Sequence, residues 1–144
     1  MKILVCTDGS IYSQKAIREA VNVAVKHEVT EVTLVFVYDT VPSSVFDYNG
    51  GSVRSEETRR VSIGNKVLQE AVAVFNEIEI DPHTILKKGH PSSEILQVIA
   101  EGSYDLVVVG CRGLSGLKKV FLGSVSNAVA QGAKCNVLIV KHWE

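Results

Sequence analysis

Cysteine is scarce in this 144-residue chain: Cys6, Cys111 and Cys135 are odd in number and far apart. No CxxC or Cys/His ligand spacing occurs, which argues against a disulfide framework or a zinc site. Long apolar runs are also missing; nothing approaches the roughly 18 consecutive residues of a membrane span. No signal-peptide pattern is present, and Met1-Lys2-Ile3-Leu4-Val5 reads directly as a strand, so the expected setting is a reducing cytoplasm. Neither sign of charge dominates. Fifteen basic against sixteen acidic residues give a net charge of −1, which disfavours nucleic acid or a membrane surface as partner. Acid is lacking locally, however: from Leu106 to Trp143 there is no Asp or Glu, while Arg112, Lys118, Lys119, Lys134 and Lys141 are present. A basic stretch inside a neutral protein suits a small anionic ligand.

What is present is a pattern that alternates between short apolar runs and helical stripes. Ile3 to Cys6, Val32 to Tyr38, Thr84 to Leu86, Leu106 to Val109 and Val137 to Val140 read as strands. Between them, Ile17, Ala20, Val21 and Ala24 recur at helical spacing, as do Val61, Gly64, Val67, Leu68, Ala71, Val72 and Phe75. Ile95, Leu96 and Ile99 mark a third helix with Pro91 at its first position, where the missing N–H is harmless. Val125, Ala128, Val129 and Gly132 mark a fourth. The order β-α-β-α-β-α-β-α-β, with strands apolar on both faces, predicts one domain over 1–144. It is a doubly wound, five-stranded parallel sheet in strand order 3-2-1-4-5 with helices on both faces. Asp39 to Ser55 is polar and long for a connection inside a domain, which leaves a lid over a ligand and plain disorder as equal expectations there.

Ligands of open parallel sheets bind beyond the carboxyl ends of the strands. Two segments stand in such places: Thr7-Asp8-Gly9-Ser10 after the first strand, and Gly110-Cys111-Arg112-Gly113 after the fourth. The second continues as GCRGLSGLKKVFLGSVS, with glycines at 110, 113, 116 and 123. Glycines let the main chain approach an anion, and Gly123-Ser124-Val125-Ser126 opens a helix, where free N–H groups and the helix dipole favour phosphate. The hydroxyls of Ser124 and Ser126 and the cations Arg112, Lys118 and Lys119 complete the chemistry of a polyphosphate cradle. It is neither a Walker A loop, since no GxxxxGK[ST] occurs, nor a Rossmann fingerprint, since Gly9 stands alone after the first strand.

These residues resemble the universal stress protein family, whose ATP-binding members carry G-x2-G-x9-G-[ST]. Gly110, Gly113, Gly123 and Ser124 match that spacing, in register with TDGS, with Phe36-Val37-Tyr38-Asp39 and with Gly89-His90-Pro91. The resemblance implies an adenine nucleotide, ATP with Mg²⁺, with Asp8 beside Thr7 contacting the adenosine and the main chain of Val37 meeting the adenine edge. Gly110, Arg112 and Gly113 then arch over ribose and phosphates, and Gly123, Ser124, Val125 and Ser126 form the phosphate-binding helix start. It further implies a homodimer along the last strand. Two departures stand out. Cys111 replaces the small polar residues frequent at its position, and Lys134-Cys135-Asn136 lacks the prolines often found before the final strand.

Several plainer roles compete. The glycine loop can be a structural connection, Asp8 or Ser10 can cap the first helix, and His90 reads as a helix-entry residue. Cys6 reads as a core filler, and Cys111, although beside the proposed phosphates and cations, reads as packing or spacing in preference to redox chemistry. The leading expectation is an ATP-binding stress protein whose nucleotide switches the 39–55 loop or the dimer surface, hydrolysing slowly at most. A nucleotide-free homodimeric module and a weak Mg-dependent ATPase are the alternatives. An efficient enzyme is disfavoured because no acid or histidine lies between Gly110 and Ser126, and no SGGxDS or HIGH-type signature occurs. A flavin carrier is disfavoured by an aromatic content of 6%, with the single tryptophan, Trp143, at the extreme C-terminus.

Overall fold

A computed structural model of the chain describes residues 1–42, 53–113 and 122–142. The elements alternate as β1 (Lys2–Cys6), α1 (Ile11–Lys26), β2 (Glu31–Tyr38), α2 (Val53–Asn76), β3 (His83–Lys88), α3 (Pro91–Gly102), β4 (Leu106–Gly110), α4 (Ser124–Gly132) and β5 (Asn136–Val140). All strand pairs are parallel and the sheet order is β3-β2-β1-β4-β5. The chain therefore winds outward from β1 to one edge, returns to β4 beside β1, and winds to the other edge. The reversal falls between β1 and β4, and it is there that a crevice opens above the strand ends.

Alternation of side chains along each strand splits the core into two layers. Ile3 and Val5 of β1 face a cluster with Ala16, Ile17 and Ala20 of α1 and with Leu68, Ala71 and Phe75 of α2. Leu4 and Cys6 face the opposite cluster, with Ile95, Val98 and Ile99 of α3 and Val129 of α4. Each such Val, Leu or Ile removed from water contributes about 1.5–3 kcal/mol, which fixes the register of the central strands firmly. Close approach is enforced where α2 crosses β2 and β3: a Cβ on Gly64 would lie 2.6 Å from Leu86 Cδ1 and 2.9 Å from Phe36 Cδ1. Only a residue without a side chain lets the helix settle at that depth.

Three details differ from the periodicity. Helix α2 begins at Val53, so the polar connection ends sooner than expected, and its residues 43–52, most of the segment weighed as a lid, lie outside the described residues. Strand β3 extends from His83 to Lys88 because its outer residues pair with β2 while remaining exposed, so they carry no apolar signal. Helix α3 buries Val98 with Ile95 and Ile99, and Leu96 is only half-buried, packed on the α4 side. No described helix is long and apolar enough to cross a membrane.

Candidate functional site

Three helices that follow β1, β3 and β4 begin at the carboxyl ends of the strands, and their first turns are satisfied very differently. At α1 the chain caps itself. The Ser10 hydroxyl accepts from the Ser13 N–H at 3.2 Å, and Asp8 Oδ1 accepts from the Ser10 N–H at 2.9 Å. Both residues weighed as caps thus take part, with Ser10 as the N-cap proper. At α3 the N-cap His90 makes no side-chain capping bond, and Pro91 follows at the first helical position. At α4 the N-cap is Gly123, which has no side chain with which to cap. The first bond of that helix runs from Asn127 N–H to Gly123 O at 3.0 Å, so the N–H groups of Ser124, Val125 and Ser126 precede the ladder.

The start of α4 is held by the residue between the loop glycines. Cys111 O accepts from Gly123 N–H at 2.7 Å and from the Ser126 hydroxyl at 2.8 Å, while Cys111 N–H donates to Val140 O on β5 at 2.9 Å. Ser126 is 1% exposed, and its hydroxyl also lies 3.1 Å from Gly123 O. Its one proton is therefore spent on the main chain, and Ser126 shapes the helix start instead of offering that proton to a ligand. Glycine is required twice in the preceding loop. A Cβ on Gly110 would lie 2.7 Å from the Tyr12 carbonyl carbon, and one on Gly113 would lie 2.5 Å from Asp8 Oδ2. The second contact joins the two segments that followed different strands: the carboxylate after β1 stands against the loop after β4.

A cavity of about 570 Å³ opens between these parts. That volume falls inside the roughly 300–1,000 Å³ typical of small-molecule sites. Ten of the candidate residues from the sequence line it: Thr7 and Asp8 from just after β1; Val37 from β2; Gly110, Arg112 and Gly113 from the loop; and Gly123, Ser124, Val125 and Ser126 from the start of α4. Arg112 is half-buried, and its Nε is shielded from water with no hydrogen-bond partner among the described residues. A buried guanidinium N–H without an acceptor is costly, and an anion beside it removes that cost. Gly116, Lys118 and Lys119 lie outside the described residues.

Other lining residues carried no sequence signal or were read differently. Cys6 reaches the cavity as well as the core, and burial, followed by the charge of Asp8, pushes its thiol up to about 12. Cys111 is buried at 6% exposure and is not among the residues that line the cavity. Ser13, Tyr38, Asp39, His90 and Ser92 also line the cavity. The last two were legible in principle, since Gly89-His90-Pro91 directly follows a strand; Tyr38 and Asp39 lay at the end of a strand whose apolar pattern drew attention to Val37. Arg60 of α2 donates to Asp39 O at 3.1 Å and to Glu56 Oε1 at 3.2 Å, fixing the rim at the end of β2. Arg59 and Arg60 together hold the Glu56 carboxyl down at about 2, chiefly through their hydrogen bonds. Among the described residues no group of three or more His, Cys, Asp or Glu gathers as a metal cage.

Comparison with known proteins gives consistent matches along the chain. The model of the universal stress protein family matches residues 1–141. The universal stress protein YxiE of Bacillus subtilis is 36% identical, over 97% of this chain and 98% of its own. A universal stress protein of Methanocaldococcus jannaschii is 32% identical, over 97% of this chain and 81% of its own. Among solved structures, the hypothetical protein MJ0577 superposes with a TM-score of 0.85 at 22% identity, over 99% of this chain and 96% of its own. A universal stress protein in complex with cAMP gives 0.61 at 26% identity, over 97% and 95% of the two chains. The universal stress protein of Archaeoglobus fulgidus in complex with dAMP gives 0.70 at 19% identity, over 98% of each.

Proposed function

Because the chain belongs to the universal stress protein family, we propose that its cavity binds an adenine nucleotide, ATP above all, and that occupancy acts as a conformational or dimer-surface switch. The observation that carries this reading is the start of α4 without a side-chain cap, with Arg112 Nε buried and without a partner among the described residues in the same cavity. Together they supply three main-chain N–H donors and a fixed cation at one place, which is what a phosphate chain requires. Thr7, Asp8 and Val37 line the nucleoside end, with Gly110 and Gly113 between the two ends. Relatives with cAMP and dAMP bound support the base.

Mg²⁺ enters this reading on the phosphates. Asp8 and Asp39 are the carboxylates of the lining, and one or two carboxylates plus substrate oxygens suffice for that ion. The same residues leave hydrolysis slow at most, because no acid or histidine lies between Gly110 and Ser126 to position an attacking water. Pairing of two chains along β5 is the accompanying proposal. Val137, Leu138 and Ile139 of that edge strand are only half-buried within one chain, and a second copy would cover them.

Titration calorimetry with ATP and Mg²⁺ on the wild type and on Gly113→Val tests the site. The valine side chain must displace the Asp8 carboxylate and narrow the loop, so affinity is expected to fall at least about tenfold. Equal affinity in the two proteins would refute the placement. No heat and no thermal stabilisation by ATP in the wild type would leave a nucleotide-free homodimeric module.

A further inference from the structure

A second cavity, again of about 570 Å³, is lined from α1, α2 and the end of β5 and shares no residue with the first. Its charge is one-sided. Lys15 and Arg18 of α1 and Lys141 beyond β5 line it, against a single acid, Glu19. Glu19 is engaged along its own helix, where its Oε1 accepts from the Asn22 side-chain amide at 3.3 Å. Neither Lys15 nor Arg18 forms an ion pair among the described residues. Apart from Asn22 and His142 the remaining lining is valine, so no further acid offsets the positive charge. Lys15 and Arg18 stand three residues apart and therefore share one face of α1, where like charges repel. A concave surface concentrates such a field, and an anion between the two cations turns their repulsion into attraction.

His142 supplies an independent observation. Its ring stands edge-on to Tyr12, with centroids 6.0 Å apart, and its Nδ1 is shielded from water without a partner among the described residues. Arg112 Nε is in the same condition in the first cavity. A shielded nitrogen that carries its proton needs an acceptor oxygen, and an oxyanion brings several. We infer that this second cavity is an anion site for a small phosphate-bearing ligand, whose oxygens lie between Arg18, Lys15 and Lys141. The cations come from two elements, which suits the tetrahedral spread of phosphate oxygens better than the two coplanar oxygens of a carboxylate, and a guanidinium binds phosphate through paired N–H groups. The inference is independent of the nucleotide reading.

The test is a titration of isotope-labelled protein with inorganic phosphate, followed through the amide chemical shifts, with sodium chloride at matched ionic strength as the control. The amides of Lys15, Arg18, Asn22, Lys141 and His142 should move along one saturating curve that chloride does not reproduce. Arg18 is exposed, so Arg18→Gln should fold normally. It should weaken that curve about three- to tenfold and leave any response at Ser124, Val125 and Ser126 unchanged. Lys141→Gln should weaken it similarly from the opposite wall. Shifts confined to the start of α4 and its preceding loop, shifts that chloride matches, or an Arg18→Gln curve identical to the wild type would overturn the inference. Shifts that follow protein concentration instead of phosphate would make the lining a contact between two copies and overturn it likewise. A silent α4 beside a responding second cavity would count against the phosphate seat of the nucleotide reading and support this one.

Discussion

Replacing Arg112 with methionine should make the ligand-free protein more stable and the nucleotide complex weaker, two effects of opposite sign from one side chain. The Arg112 Nε is shielded from water with no partner among the described residues, and an orphaned buried donor costs about 1–3 kcal/mol. Arg112 as a whole is half-buried, so the lower end of that range applies, and methionine retains much of the aliphatic stem. A gain near 1 kcal/mol corresponds to a rise in Tm of about 2–4 °C at chain lengths near this one. On the binding side, a hydrogen bond to a charged group is worth about 1.5–3 kcal/mol, so the Kd for ATP should rise roughly 10- to 100-fold. Differential scanning fluorimetry without ligand and with a series of ATP concentrations reads both effects, since stabilisation by ligand follows its concentration over Kd. Adenosine, which lacks phosphates, should bind both proteins alike. A variant that is less stable without ligand and binds ATP with unchanged Kd would refute the reasoning, because the guanidinium would then be a packing element with a satisfied environment.

Gly64→Val drives a branched side chain into Leu86 and Phe36 beneath α2 and should cost about 1–3 kcal/mol, read as a lower urea midpoint with an unchanged slope. An unchanged midpoint would mean that α2 lifts off the sheet freely. Cys6 should resist iodoacetamide at pH 8 in the folded protein and react once it is unfolded, since burial holds its thiol protonated. Its raised pKa also sets a sign. The native state keeps a proton that the unfolded state releases, so this contribution is full below about pH 9 and is lost as pH rises toward 12. Cys6→Ala should lessen the alkaline fall in stability, and an identical pH profile in the two proteins would contradict the assignment.

The alternation of apolar runs with 3.6-residue stripes was enough to order the elements, and a parallel sheet follows because each strand is apolar on both faces. Glycines 110, 113 and 123 marked the loop as one whose main chain can approach an anion; the structure needs the first two because a Cβ there would run into Tyr12 and the Asp8 carboxylate. What escaped was direction. Nothing in GSVS says that the Ser126 hydroxyl turns back to Cys111 O, fifteen residues earlier, or that Cys6 lines the cavity while Cys111 does not. The hydrogen bonds from the Thr7 hydroxyl to Ser13 Oγ and from the Ser13 hydroxyl to Ser10 O were equally hidden, because they depend on how α1 stands over the end of β1. Asp39 and Arg60 meet only because α2 folds back along β2.

The start of α4 offers its donors from the main chain, with a glycine where a capping side chain would otherwise stand. Such a seat is nearly indifferent to drift at its exposed positions, because exchanging Ser124 for another small residue leaves all three N–H groups in place. It is fragile somewhere else: a single added carbon at position 110 or 113 would run into Tyr12 or the Asp8 carboxylate and force the neighbouring loop to shift, without touching any donor. A relative of this chain in which such a seat is lost would therefore be expected to keep its charged residues and to differ only in its smallest ones. Counting acids, bases and nucleophiles would miss that event, whereas counting hydrogens on Cα would record it.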